Sequence, residues 1–330
     1  MKRATSSSPK SLLLSLLGLF FFLGFRGCGG GSSSSGPVPP PPDPVSLRRG
    51  FDAAKAFNLL EAQVNFGPRV PGTQAHEDAL NFLFAELFKV TDRQEKQTFN
   101  GIIEGETRAL TNRIGVIDAS AAPRQNPQKI LLGAHWDCRP VADRDPNPAN
   151  RDDPIDGAND GASGVALLLE AARILINDRP PVQVIVVFFD AEDSARPEEM
   201  FLGSEYFATH MGSYKANQGI NLDMVGDANL NVNREQNSIN ANAALYSAVL
   251  EAAEELGFSK YFTGRSTFIT DDHIPLINAG VPTIDLIDFE YPDSSHRYWH
   301  TLDDTVDKCS PQSLMIVGET VLRAVYQLTR

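Results

Sequence analysis

The sequence predicts an α/β fold with a doubly wound, mostly parallel central sheet flanked by helices. Three observations lead there. Apolar residues recur at the 3.6-residue period of helices near 47–65, 74–90, 161–177, 241–257 and 311–329. Between these stretches lie strand-like runs: "RIGVID", "KILLGAH", "VQVIVVFF", "GINLDMV" and "VPTIDLI". Several runs are apolar throughout, as expected of strands covered by helices on both faces. Strands that alternate with helices favour parallel pairing, and antiparallel strands are expected only at one edge, near 93–118.

The N-terminal residues are read separately from the fold. Lys2, Arg3 and Lys10 precede the apolar stretch 12–25, which is too short and too weakly flanked for a membrane-spanning helix but suits an export signal. Next come Cys28 and "GGGSSSSGPVPPPPDP", a flexible Gly/Ser tether that stiffens into a polyproline-like spacer. The expected divisions are an export signal over 1–28, a tether over 29–45 and one folded domain over 46–330. Signal, cysteine and tether in that order resemble a bacterial lipoprotein, in which a lipidated Cys28 would tether the protein to a membrane. Phe25 and Arg26 depart from the usual lipoprotein signal, so ordinary cleavage and an uncleaved anchor stand as alternatives. Each places the protein outside the cytoplasm, in a bacterial periplasm or cell envelope.

The net charge of -13 argues against a nucleic-acid partner or an anionic membrane surface. Beyond the tether there is no second linker, repeat or low-complexity tract. Cys138 and Cys309 form either one disulfide or two buried thiols, and they are too few for a thiolate zinc site.

In doubly wound sheets, ligands bind beyond the carboxyl ends of the strands. The polar residues fall there. His135 and Asp137 follow "KILLGA", Asp190, Glu192 and Asp193 follow "VIVVFF", Asp223 closes "GINL", and His300 lies in the loop after "VPTIDLI". Zinc takes imidazole nitrogen and carboxylate oxygen, and a catalytic site keeps three protein ligands and one open position. His135, Asp137, Asp160, Glu192, Asp193, Asp223 and His300 are therefore the candidate set.

Each residue alone has a plainer reading. Asn159 or Asp160 would cap the helix after "GANDG", Asp271 and Asp272 the short helix "HIPLINAG". Glu192 and Asp193 would belong to a solvated loop, and His300 beside Trp299 would be structural. Asp190 reads as structural. The acidic loop 143–156 reads as solvated rather than calcium-binding, because Arg144 and Arg151 interrupt it. Independent caps and loops, however, have no reason to converge on strand ends in one order.

"GAHWDCRP", "GANDGASGVALLLEAARIL", "FFDAED", "LGSEYFA", "NLDMVG", "DDHIPLINAGVP" and "YWHTLDD" resemble, in that order, the zinc aminopeptidase and glutaminyl cyclase superfamily. "VNFGPRVPGTQAHEDALNFL" resembles the segment that opens it, so the likeness covers nearly all of 55–330. "DDHIPLINAGVP" with "WHTLDD" is closer to the bacterial glutaminyl cyclases.

The resemblance implies a zinc aminopeptidase-like fold and one zinc held by Asp160, Asp193 and His300. It implies that Glu192 is the acid/base group and that Asp223 and Asp271 hold its proton in a hydrogen-bond network. It also implies peptide or protein substrates with a free N-terminus. In the cyclase reaction zinc polarises the side-chain amide of an N-terminal glutamine, the substrate's α-amine attacks, and Glu192 passes the amine proton to the departing ammonia. The alternative is a two-zinc aminopeptidase, with His135 and Asp223 on a second metal, Asp160 bridging and Asp137 orienting His135. Cyclases usually place an aromatic residue after the acid pair, and "SARPEEMFLG" has only Phe201. Trp136 and Trp299 are the expected substitutes as walls of the substrate pocket. Asp193 is shorter than the glutamate of many relatives.

Overall fold

The computed structural model describes residues 44–120 and 128–328, so the export segment, Cys28 and the tether up to residue 43 lie outside the described residues. Among the described residues there are eight strands and seven α-helices. α1 (Ala53–Val64) and α2 (Gln74–Lys89) precede a hairpin of β1 (Arg93–Ile103) and β2 (Glu106–Ile117). Then follow β3 (Lys129–His135), α3 (Ala162–Asn177), β4 (Gln183–Phe189), α4 (Leu202–His210) and β5 (Gln218–Asp223). The last elements are β6 (Arg234–Glu235), α5 (Gln236–Glu255), β7 (Ser266–Thr267), α6 (His273–Asn278), β8 (Thr283–Ile287) and α7 (Pro311–Gln327).

The main sheet has the order β1-β2-β4-β3-β5-β8. β4, β3, β5 and β8 run parallel, while β2 joins β4 antiparallel and β1 joins β2 antiparallel. This is the expected architecture, with the antiparallel edge where it was expected. β6 and β7 form a small parallel pair of their own.

Strand side chains alternate between faces, and β4 shows what this does to the core. Val184, Val186 and Phe188 join the large cluster that includes buried residues of α1, α2, α3, α5 and α7. Ile185, Val187 and Phe189 join a second cluster with Phe207 of α4 and Leu276 of α6. Burial on both faces explains the unbroken apolar runs.

Helix starts follow local capping. Asp52 accepts from the amides of Ala54 and Lys55, so α1 begins at residue 53 rather than 47, beyond a left-handed Gly50. Glu235 caps α5 through the amides of Asn237 and Ser238, which starts that helix five residues earlier than its apolar period predicts. Ser310 caps α7, with Pro311 in its first turn. Cys138 and Cys309 are both buried free thiols, which decides between the two readings of that pair.

Candidate metal centre and active site

The parallel strands end together, and their ends carry the site. His135 is the last residue of β3 and Asp223 the last of β5. Beyond β4 the chain turns through Ala191, whose φ is 54°, and presents Glu192 and Asp193. Met224, after Asp223, and His300 itself also have positive φ, 49° and 56°. Non-glycine residues in this region are uncommon and cluster at functional sites.

Asp160, Asp193 and His300 converge. His300 Nε2 lies 3.6 Å from Asp160 Oδ2 and 3.7 Å from Asp193 Oδ2. Ligands about 2.0–2.1 Å from a tetrahedral zinc stand roughly 3.3 Å apart, so the spacing suits such an ion. The remaining bonds leave these atoms available. Arg139 Nη1 donates to Asp193 Oδ1 at 2.5 Å, while Asp193 Oδ2 is buried with no hydrogen-bond partner. Burial lowers the pKa of His300 to about 3, keeping the imidazole neutral as a metal ligand must be. Burial, and then repulsion from Asp160, pushes the Asp193 carboxyl well above its usual range. A bound cation would relieve that repulsion, and the three residues fit zinc.

His135 belongs to the same cluster. Its Nε2 is 3.2 Å from Asp160 Oδ1 and 3.2 Å from Asp223 Oδ1, and its Nδ1 is 3.5 Å from Asp137 Oδ1. Although burial opposes the charge, bonds to Asp137, Asp160 and Asp223 raise the His135 pKa well above its ordinary value. Asp160 thus turns one oxygen towards His300 and the other towards His135. Asp137 accepts the amides of Glu192 and Asp193 at 3.1 and 3.2 Å, fixing the acid pair beside His135. Gly161 permits the packing, because a Cβ there would collide with the His135 ring.

Burial raises the pKa of Glu192 well above the usual range, and the charges of Asp193, Asp271 and Asp272 add to the effect. Asp223 is pushed up to about 7, again by burial first. Asp271 lines the same pocket as Glu192 and Asp223. Behind Asp271 lies a buried group that the sequence did not single out. His273 Nε2 is 3.3 Å from Glu235 Oε2, and His273 Nδ1 is 4.0 Å from Asp285 Oδ2.

Other residues anticipated near the site have different positions. Trp136, expected as a pocket wall, is fully buried, stacks on His76 at 4.2 Å and donates its indole N–H to Thr111 O. It follows His135 along an extended chain and so points the opposite way. Trp299 does line the pocket, packed edge-on to Phe289 at 4.8 Å and covered by the Arg144 guanidinium at 4.2 Å. Asp190 is structural: it accepts from Thr111 N at 2.6 Å and bonds His76 Nε2 at 2.8 Å.

Neither Asn159 nor Asp160 caps α3, whose N-cap is Gly161. Asp272 occupies the N-cap of α6 without a side-chain capping bond. The loop 143–156 is less solvated than expected, because Asp145 is buried and accepts from Leu302 N at 3.2 Å. That bond ties the loop to the segment carrying His300.

Several contributors were missed. Arg139 stood in the quoted "GAHWDCRP" without a role. Asp304 accepts the amides of Asn159 and Asp160 and the Tyr291 hydroxyl, holding the turn that aims Asp160. Met200, Met224, Ile269, Ile287 and Phe289 complete the pocket, about 60 Å³ in volume. Phe289 shortly follows β8, and its place beyond a strand end was the available signal.

The comparisons with known proteins agree with this geometry. Residues 114–325 match Peptidase family M28. The chain is similar to the glutaminyl cyclase of Tannerella forsythia, at 37% identity and a TM-score of 0.78, covering 84% of this chain and 99% of that one. It is similar to a Zn-dependent exopeptidase from Parabacteroides distasonis, at 36% identity and a TM-score of 0.78, covering 84% and 98%. Among curated sequences it is 29% identical to the glutaminyl-peptide cyclotransferase of Bos taurus over 232 residues, 60% of each chain. It spans 42% to 60% of the length of the first curated relatives it matches. With a matched segment that runs from β2 into α7 and contains the whole cluster of acids and histidines, the chain belongs to peptidase family M28.

Proposed function

We propose that the protein is a zinc-dependent glutaminyl-peptide cyclotransferase acting on peptides or proteins with an N-terminal glutamine. The observation that carries this reading is the pocket. It is about 60 Å³ and is lined by Asp160, Asp193 and His300, by Glu192 and Asp271, and by Phe289 and Trp299. That is room for one side chain against a metal position, with the aromatic wall that "SARPEEMFLG" lacks. Solved glutaminyl cyclases at similar identity support the same reading.

The expected metal is a single zinc on Asp160, Asp193 and His300. Zinc bound there supplies electrophilic activation of the glutamine side-chain amide. Phe289 and Trp299 hold the side chain and exclude water, so the α-amine is the nucleophile within reach. The C–N bond forms between that amine and the side-chain carbonyl carbon, the amide C–N bond breaks, and ammonia leaves. Glu192 takes the amine proton and returns it to the ammonia, a task suited to a carboxyl whose proton affinity is raised by burial. Asp223 and Asp271 keep that proton local. From the apolar stretch 12–25 behind Lys2, Arg3 and Lys10 we infer export from a bacterial cytoplasm.

The alternative is a two-zinc aminopeptidase. It is favoured by Asp160, which offers separate oxygens to His300 and His135. Mass spectrometry of a glutamine-initiated peptide incubated with the protein, with and without a chelator, decides between them. Chelator-sensitive loss of ammonia at unchanged chain length supports the cyclase. Removal of the first residue refutes it, and a metal analysis then finds two ions per chain instead of one.

A further inference from the structure

A second concavity of about 440 Å³ lies between α4 and α6, with Phe201, Ala208, Ile274 and Pro275 among its walls. It neighbours the catalytic pocket: Thr270 lines both, and Met200 of that pocket directly precedes Phe201 of the groove. Its two helical walls also originate at the site. Phe201 donates its backbone N–H to Glu192 O at 2.9 Å and, with a φ of 60°, directs the chain into α4. α6 begins two residues after Asp271.

We propose that this groove binds the second and third residues of the peptide whose N-terminal residue occupies the catalytic pocket, and that it selects apolar side chains there. The proposal rests on the cyclase reading and names a substrate class within it. The catalytic pocket holds about 60 Å³, so the remainder of a peptide must leave it. A polar concavity of about 240 Å³ shares Phe289 with it and this groove shares Thr270, and the groove, at about 440 Å³, is the larger of the two. One extended residue advances the chain about 3.3–3.6 Å, so a shared wall places the next side chains in the groove. Four apolar walls reward burial of an aliphatic or aromatic side chain. The carboxylate of exposed Glu205 at the edge disfavours acidic residues.

The test compares glutamine amide with Gln-Leu-Phe-amide and Gln-Glu-Glu-amide, using wild type and Thr209→Trp. Thr209 is exposed, lies on the groove and not on the catalytic pocket, and its indole replacement would fill the groove. Wild type should process the apolar peptide with a kcat/KM roughly tenfold to a hundredfold above the amide, mostly through KM, as expected for one or two buried side chains. The acidic peptide should gain nothing. Thr209→Trp should abolish the gain and leave turnover of the amide unchanged. Equal kcat/KM for amide and apolar peptide in wild type, or an unchanged gain in Thr209→Trp, overturns the groove while the cyclase reading stands. Removal of the terminal residue in place of ammonia overturns the cyclase reading, and the groove survives only if Thr209→Trp slows that removal. No reaction with any of the three overturns both.

Discussion

Arg139 and Asp193 form a buried ion pair in which the carboxylate is divided: Oδ1 accepts from the guanidinium at 2.5 Å, and Oδ2 faces His300 Nε2 at 3.7 Å. The arginine neutralises half of a ligand and orients the other half. It also holds Asp143 Oδ1 at 2.8 Å, and Asp143 Oδ1 in turn lies 3.7 Å from His300 Nδ1. One side chain therefore fixes one proposed zinc ligand directly and places a carboxylate beside a second.

Replacing it with a neutral side chain of similar length leaves Asp193 buried and unpaired. Arg139→Met should cost about 1–3 kcal/mol of stability in metal-depleted protein, because Asp193 Oδ1 and Ser194 O lose their buried donor. In zinc-loaded protein the loss should be smaller, since the ion supplies positive charge to the same carboxylate. Thermal melts with and without chelator check this, and equal losses in the two states would count against Asp193 as a ligand.

Glu192→Gln keeps the backbone N–H that donates to Asp137 and removes only the ability to carry a proton. Turnover of a glutamine-initiated peptide should fall by roughly 10²–10⁴-fold, the usual range for a lost general acid/base. Zinc content per chain, read by metal analysis, should not change. Near-normal turnover would remove Glu192 from the proposed chemistry.

Asp288 offers a test of stability away from the metal. It is buried just past β8, accepts from Asn231 N at 2.6 Å through Oδ2, and leaves Oδ1 without a partner. Burial raises its pKa from 3.8 to about 7. A raised carboxyl favours the folded state fully below the unfolded pKa, and that contribution is lost as pH rises through the folded value. Asp288→Asn should therefore be more stable than wild type at pH 8, by roughly 2 kcal/mol, with the difference narrowing as pH falls towards 4. Denaturation midpoints across that range check the sign, and a gap that widens on acidification would contradict it.

The sheet was legible because its central strands are covered on both faces, so β3 and β4 print as unbroken apolar runs. Long helices were legible through their period. α4 and α6 were harder to delimit, being nine and six residues long with too few turns to show one. The opening of α5, "QNSINAN", is polar and is held by the Glu235 cap, with non-helical backbone at Asn242. At the site, strand-end histidines and acids stand out by residue type, and their family resemblance supplied roles that spacing alone could not. Met200, Met224 and Ile269 look like any core residue, and only folding brings them to one cavity. Trp136 misled because adjacency to His135 suggested a shared destination, whereas successive side chains on an extended chain diverge.

The left-handed backbone at Ala191, Met224 and His300 has one further consequence. Glycine would fit these turns with less strain but would leave them limp in the absence of neighbours. With larger residues locked by packing, the site behaves as a rigid mould whose shape is set by the scaffold and not by its contents. Such a mould can be emptied and refilled without losing its form. A change in what the site does then needs changes in what lines the cavity, while the casting stays the same.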